Sequence, residues 1–147
     1  MTRRALLASL GVAAATRDLE LRAHAGINAQ RHRNGIAPLV WNPALAGTAR
    51  DHSRRMLTAG FFAHTDPQRG DLIQRVNAAA IAWTRLAENI FREQGYQDPV
   101  SMAIAQWLDS AGHRVNLLGP AFTETGIGVA VSSDQEFYIT QQFLRAA

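Results

Sequence analysis

The strongest strand signals in this chain lie together at its C-terminal end, behind a series of helical segments. Residues 125–132 and 136–143 are rich in β-branched and aromatic side chains, and the polar residues 133–135 between them predict a hairpin turn. The earlier segments do not alternate regularly between strand and helix, as the chain of a parallel doubly wound sheet does. This order of elements predicts an α+β domain.

The composition is that of one folded domain. The 147 residues can bury a core of their own, and 47% of them are hydrophobic against 18% charged, unlike the composition of disordered chains. The chain has no cysteine, so its stability must come from packing rather than from disulfides. All 15 basic residues are arginines, but they are scattered and the net charge is only +3. A nucleic-acid partner is therefore not expected.

The N-terminal residues 1–15 have the features of an export signal. Two arginines near the start precede a short apolar run, and the alanines at 13–15 offer a small-residue cleavage site. The alternative is an ordinary alanine-rich first helix. The run is too short to span a bilayer, and no later stretch is apolar enough to do so. We therefore expect a mature domain over 16–147, secreted or held in the cell envelope.

Helix signals and breakers divide the domain into segments. Asp18 is a candidate N-cap for a helix over 19–34, and Gly35 is a candidate stop. A second helix opens at Asn42 and Pro43 and ends at Gly60. Its inward stripe, spaced for one helix face, is Leu45, Ala49, His52 and Met56. Residues 36–41 and 83–91 read as extended, and 71–80 and 99–108 as helices, with 109–112 as the end of the latter.

Three residues at segment ends or in turns are candidates for chemistry: His64, Glu88 and His113. If 83–91 is extended, Glu88 shares an apolar face with Leu86 and Ile90, because side chains alternate with a period of two. A carboxylate on that face needs a cationic, donor or metal partner. The alternative is a helical segment with a solvated Glu88.

The two histidines also have simpler interpretations. His64 can be a turn histidine packed on the neighbouring aromatics, and His113 can close the C-terminus of the helix before it. Together with Glu88 they would supply either an open zinc-type site or an acid–base set. Their spacing matches no local metal motif, so only the fold can bring them together.

The order of these motifs resembles the CAP superfamily: cysteine-rich secretory, antigen 5 and plant pathogenesis-related proteins, especially its compact bacterial members. Residues 87–90, Ala-Glu-Asn-Ile, resemble the family's Gly-Glu-Asn motif, and 107–114 with 116–118 resemble the signature around the second cleft histidine. The remaining similar segments are 28–31, 39–41 with the stripe of the second helix, 62–64, 126–130 and 138–143.

The resemblance implies a three-layer α-β-α sandwich with a central antiparallel sheet. It also implies a cleft formed by His64, Glu88 and His113, with Arg75, Asp71, Asn89 and Ser110 as possible neighbours. The family's fourth, acidic cleft position is missing, and Arg75 is assigned to it. Arg75 would then pair with Glu88 without metal. Any divalent cation such as zinc, held by the two histidines and Glu88, is expected to bind weakly.

The function implied is that of an exported, monomeric binding domain rather than an enzyme. Its partner would be a small molecule, a lipid, a cation, or an extracellular or envelope protein or glycan. The alternative is a metal-assisted hydrolase with Glu88 as base. A third hypothesis is a structural module of the cell envelope whose cleft no longer has a function. The cleft itself must decide, because one fold hosts many functions.

Overall fold

Over residues 3–95 and 98–147, which the computed structural model describes, the chain forms five α-helices and one four-stranded sheet. Side chains are described from residue 15 onward. In chain order the elements are α1 (Arg3–Arg33), β1 (Val40–Trp41), α2 (Pro43–Ala59), α3 (Leu72–Ala78), β2 (Arg85–Gln94), α4 (Pro99–Asp109), α5 (Ala111–Leu117), β3 (Glu124–Val131) and β4 (Glu136–Arg145).

The sheet has the strand order β1-β3-β4-β2. β3 and β4 form the predicted hairpin, and β2 pairs antiparallel with the other side of β4, with Glu88 opposite Gln142. The predicted α+β class and the antiparallel body of the sheet are thus confirmed. The two-residue strand β1 pairs parallel with the start of β3 and forms one edge of the sheet. The sequence predicted an extended segment at 36–41, but it did not predict this pairing.

Helix α2 begins and ends where its capping residues predict. The Asn42 side chain accepts a hydrogen bond from the backbone of Leu45, and Gly60 closes the helix with a left-handed φ of 73°. The predicted inward stripe is completely buried from Leu45 to Met56.

Two glycines let α2 lie directly on the sheet. A Cβ at Gly126 or Gly128 would overlap the backbone of α2 at Ala46 or Arg50. The intervening Ile127 points to the opposite face and joins the main core, which includes residues of α1 and α4. Helices therefore pack against both faces of the sheet, as in the expected three-layer arrangement.

Helix α1 corrects the predicted start of the first helix. It runs without a break from Arg3, so the assignment of Asp18 as an N-cap is wrong. Between residue 3 and Asp18 the sequence has no helix breaker except one glycine. The helix therefore continues through Asp18 instead of starting there. Gly35, with a φ of 70°, follows the helix as predicted. The export signal at 1–15 stays a prediction, because a helical conformation suits both a signal and an ordinary first helix.

None of the helices described over residues 3–95 and 98–147 is both long enough and apolar enough to cross a membrane.

The region around His113 is a second correction. Residues 109–112 were expected to end a helix with His113 beyond it, but α4 ends at Asp109 and a new helix, α5, begins at Ala111 and contains His113. Gly112 lies inside α5 in open space, so it does not act as a stop. His113 therefore lies in the first turn of a helix rather than after one.

A buried arginine ties α1 to the end of α5. Arg31 is completely buried, and its guanidinium donates to the carbonyls of Leu117 and Gly119 at 2.9 and 3.0 Å. It also reaches the carbonyls of Ala37 and Phe122. This one side chain satisfies four backbone acceptors of loops and helix ends that have no helical partner.

Candidate functional site

Glu88 is the centre of a buried polar cluster. It lies on β2 beside Gln142 of β4, and only 6% of it is exposed. Its Oε1 accepts hydrogen bonds from His64 Nδ1 at 2.9 Å and Arg75 Nη2 at 3.0 Å. Its Oε2 accepts from Arg75 Nη1 at 3.1 Å and Gln142 Nε2 at 2.9 Å. The inward carboxylate thus has the donors that its position requires.

Arg75 comes from α3, whose start is set by a capping box between Asp71 and Gln74. Only 7% of Arg75 is exposed. Besides its bidentate ion pair with Glu88, Arg75 donates to the carbonyl of His64 at 2.7 Å. The same guanidinium therefore neutralises the buried carboxylate and fixes the backbone that carries His64.

The protonation state of Glu88 follows from these contacts. Burial alone would raise the pKa of Glu88, but the hydrogen bonds from His64 and Arg75 and the charge of Arg75 act the other way and hold the pKa below its usual value. Glu88 is therefore an ionised carboxylate that is already paired.

His52 is a further member of the cluster that its position on the core stripe did not reveal. It is completely buried, with Nε2 2.8 Å from the carbonyl of Ala63 and 3.9 Å from Glu88 Oε1. Burial lowers the pKa of His52, although the Glu88 charge opposes this. Within the described part of the chain its Nδ1 has no hydrogen-bond partner. A neutral ring that donates from Nε2 fits these contacts.

The two predicted cleft histidines line one cavity of about 540 Å³, which we call the imidazole cleft. His64 is half exposed, at 53%, and its bonded Nδ1 leaves Nε2 as the free ring nitrogen. Burial lowers the pKa of His113, and the charge of His64, when that ring is protonated, lowers it further. The remaining residues of the cleft wall are Phe62, Ala63, Ile90, Phe91, Arg92, Gln106, Trp107, Asp109 and Ser110.

The predicted residues thus divide into two groups. His64, His113 and Ser110 line the imidazole cleft, whereas Glu88 and Arg75 lie outside its lining and reach it through His64. Asn89 points to the other face of β2 from Glu88, where its Nδ2 donates to the carbonyl of His113 at 3.0 Å. Asn89 therefore positions α5.

Asp71, which was also a possible neighbour, caps α3 and lines a separate depression on another side of His64. Its carboxylate is thus used for helix capping. It stands outside the lining of the imidazole cleft.

The sequence interpretation missed most of the cleft wall. Phe62 is 42% exposed, and the guanidinium of Arg92 stands 5.0 Å from the centre of its ring. Trp107, also in the cleft wall, donates from its indole to the carbonyl of Ile90 at 3.0 Å. Phe62 and Trp107 stand in the segments 62–64 and 107–114 that resemble the family, but neither was named as a cleft residue.

The donor set does not fit a three-ligand metal site. Both oxygens of Glu88 already accept hydrogen bonds, and the Arg75 cation that donates two of them would oppose a divalent ion. In residues 3–95 and 98–147, no group of three or more His, Cys, Asp or Glu side chains is arranged to hold a metal. Two imidazoles remain available to any ion.

Comparison with known proteins places these features in context. The sequence profile of the cysteine-rich secretory protein family (CAP) matches residues 24–143. Protein YkwD of Bacillus subtilis is 33% identical over 117 residues, which cover 80% of this chain and 43% of YkwD. The crystal structure of an extracellular protein with an SCP domain from Bacillus anthracis is 32% identical, with a TM-score of 0.75, and the match covers 88% of this chain and 41% of that one.

A more distant structure shares the fold alone. An outer surface protein from Borrelia burgdorferi has a TM-score of 0.80 at 15% identity, with 90% of this chain and 96% of that chain covered. The chain thus spans less than half the length of the two Bacillus proteins but nearly all of the Borrelia protein.

Proposed function

The chain belongs to the cysteine-rich secretory protein family, and from this premise we propose that it is an extracellular domain that binds a small hydroxylated molecule in the imidazole cleft. The observation that carries the proposal is that the two ring nitrogens of His64 have different surroundings. Its Nδ1 is held by the buried Glu88, which leaves Nε2 for the cleft. His113 lines the same cavity.

The chemistry of the cleft wall suits a ligand rich in hydroxyl groups. In the neutral ring that donates from Nδ1 to Glu88, the Nε2 of His64 accepts a hydrogen bond. Arg92 supplies a donor, and Asp109 an acceptor, on the same wall. The exposed ring of Phe62 offers an apolar surface for the carbon skeleton. A cavity of about 540 Å³ is within the usual range for small-molecule sites.

Metal-assisted hydrolysis has less support. It would require Glu88 as a base or a metal ligand, but Glu88 is buried and its oxygens accept from Arg75, His64 and Gln142. A base must reach the proton that it removes, directly or through one water. Glu88 does not line the imidazole cleft, and it acts on a ligand only by orienting His64.

An extracellular or cell-envelope location is part of the proposal. The export signal predicted at 1–15 supports it, as does the similarity to an extracellular protein of Bacillus anthracis. The partner is then a small molecule or a glycan of the envelope.

Ligand-observed NMR with a library of sugars and polyols would test the proposal. We expect members of the library to bind the wild type and to lose binding to Ser110→Trp, because Ser110 lines the imidazole cleft and a larger side chain there would fill it. The matched control is Ala59→Trp, which adds the same bulk at an exposed position at the end of α2.

Two results would contradict the proposal. One is that no compound of the library binds the wild type. The other is that the compounds bind Ser110→Trp as well as they bind Ala59→Trp, which would move the binding site away from the imidazole cleft.

A further inference from the structure

Three arginines surround a small depression between α1 and α2. The depression has a volume of about 270 Å³, and none of its residues lines the imidazole cleft. Two arginines of α2, Arg50 and Arg54, form one side of it, and Arg17 of α1 forms the other. Glu20 and Thr16 of α1 complete the lining. We call this set of five residues the arginine depression.

The acid of this set is committed to the fold. Glu20 has only 1% of its side chain exposed and accepts two hydrogen bonds from Arg50, at 2.9 and 2.7 Å. Its Oε2 also accepts from the backbone N–H of Val129 at 3.0 Å, which satisfies a donor of β3. Glu20 therefore holds the guanidinium of Arg50 in place and caps a free backbone N–H at the edge of β3. Its carboxylate is buried away from solvent.

The arginines carry more charge than Glu20 neutralises. Arg17 Nη1 stands 3.8 Å from the same Oε1 that Arg50 contacts, so two guanidinium groups share one carboxylate. Arg54, one helical turn beyond Arg50, is exposed and makes no ion pair with any residue in the part of the chain described. Because arginine does not lose its proton, this excess positive charge persists at every physiological pH.

We propose that the arginine depression binds a phosphate group. Guanidinium groups match phosphate oxygens with paired hydrogen bonds, and a phosphate offers acceptors in several directions to groups on two helices. Its charge would relieve the repulsion between Arg17, Arg50 and Arg54. The buried Glu20 carboxylate opposes an anion, but its charge is already taken up by Arg50. The phosphate is either a free ion or the headgroup of an anionic lipid.

The first test is calorimetric titration of the full chain with sodium phosphate at constant ionic strength and neutral pH. We expect saturable binding, weakened at least about threefold in Arg17→Gln and in Arg54→Gln. Both side chains are exposed, and Arg54 has no ion pair to lose in the part of the chain described. Arg50 is left intact, because removing it would leave the buried Glu20 without its hydrogen-bonded cation.

The matched control is Arg33→Gln, an exposed arginine at the other end of α1, about 24 Å along the helix from Arg17 at 1.5 Å per residue. It removes the same charge from the same helix and should bind phosphate like the wild type. Absence of saturable binding, or equal weakening in Arg33→Gln and Arg54→Gln, would overturn the proposal.

A second measurement separates the two sources of phosphate. Sedimentation with phosphatidylglycerol vesicles, and with phosphatidylcholine vesicles as the neutral reference, is compared for the wild type and Arg54→Gln. Arg54-dependent binding to the anionic vesicles identifies a lipid headgroup as the ligand. Phosphate binding without vesicle binding identifies the free ion. Both measurements are independent of the imidazole cleft, so the proposed function stands or fails separately.

Discussion

Arg75 and Glu88 form a two-pronged ion pair inside the protein, with two guanidinium nitrogens 3.1 and 3.0 Å from the two carboxylate oxygens. The pair joins α3 to β2, and through the carbonyl of His64 it also fixes the turn that carries the first cleft histidine. A buried charge pair of this kind contributes less by forming than it costs when one partner is removed.

Arg75→Met should therefore lower the free energy of unfolding by about 3 to 5 kcal/mol, since it leaves the carboxylate of Glu88 buried without its main cation. The double variant Arg75→Met, Glu88→Gln should lose less than the sum of the two single changes. The control Arg69→Met removes an arginine from a half-exposed pair with Asp51 and should cost at most about 1 kcal/mol. Urea unfolding measures all four; additive losses would contradict the coupling.

The buried His52 predicts a loss of stability in mild acid. Burial lowers the pKa of His52 in the folded protein, so below the ordinary histidine pKa of about 6.5 the unfolded chain takes up a proton that the folded chain does not. The contribution of neutral His52 to the free energy of unfolding is fully present above that pH and is lost as the pH decreases below it. His113, whose pKa is also lowered, contributes in the same direction.

His52→Gln should reduce this pH dependence, because glutamine keeps a donor for the carbonyl of Ala63 but does not titrate. Urea unfolding at several pH values between about 7.5 and about 5 provides the slope. His32→Gln, at an exposed position on α1, should retain the wild-type slope. A His52→Gln protein with the same slope as the wild type would exclude His52 as a source.

Gly126→Ala should destabilise the protein by about 3 kcal/mol or more, because its Cβ would overlap the backbone of α2 at Ala46 and push the helix from the sheet. Gly47→Ala is the opposite case: it lies within α2 with open space around it and should be neutral or gain up to about 1 kcal/mol. Thermal unfolding compares the two. Equal effects would mean that α2 and the sheet are not in direct contact.

Zinc should bind weakly or not at all at neutral pH, and more weakly below about pH 6 as imidazoles take up protons. The reason is that Glu88 is held by Arg75, which leaves His64 and His113 as the available ligands. Calorimetric titration of chelator-treated protein measures the affinity. Tight binding by the wild type that disappears in His64→Ala would contradict this expectation and restore a metal role for the cleft.

The exported protein should begin near Thr16, because the basic start, the apolar run and the alanines at 13–15 precede that residue. Mass spectrometry of protein recovered from the medium or the envelope, with cytosolic protein as the reference, measures the N-terminus. Exported material that retains Met1 would contradict cleavage, and recovery from the cytosol alone would contradict export.

Local signals predicted the parts of the fold that local chemistry determines. Asn42 and Gly60 mark the ends of α2 because each satisfies backbone groups within one turn. The inward direction of Glu88 followed from the two-residue period of its strand. The likeness to a known family then indicated which distant histidine belongs beside it.

What the sequence did not predict depends on packing between distant elements. The approach of His52 to Glu88 requires α2 to lie on the sheet at one depth, which two glycines set. The bond from Asn89 to the carbonyl of His113 requires α5, which Gly112 concealed. Asp18 was assigned as an N-cap from its residue type alone. An aspartate can also lie inside a helix with its side chain in solvent, and here no breaker ends the helix before it.

The unbroken course of α1 has a consequence for maturation. Cleavage after Ala15 would create a new helix terminus with Asp18 in its first turn, where negative charge offsets the exposed amides of a helix start. Leu19 and Ala23 of α1 pack in the core, and both lie beyond the cut. These two contacts would therefore be the same in the precursor and in the processed protein.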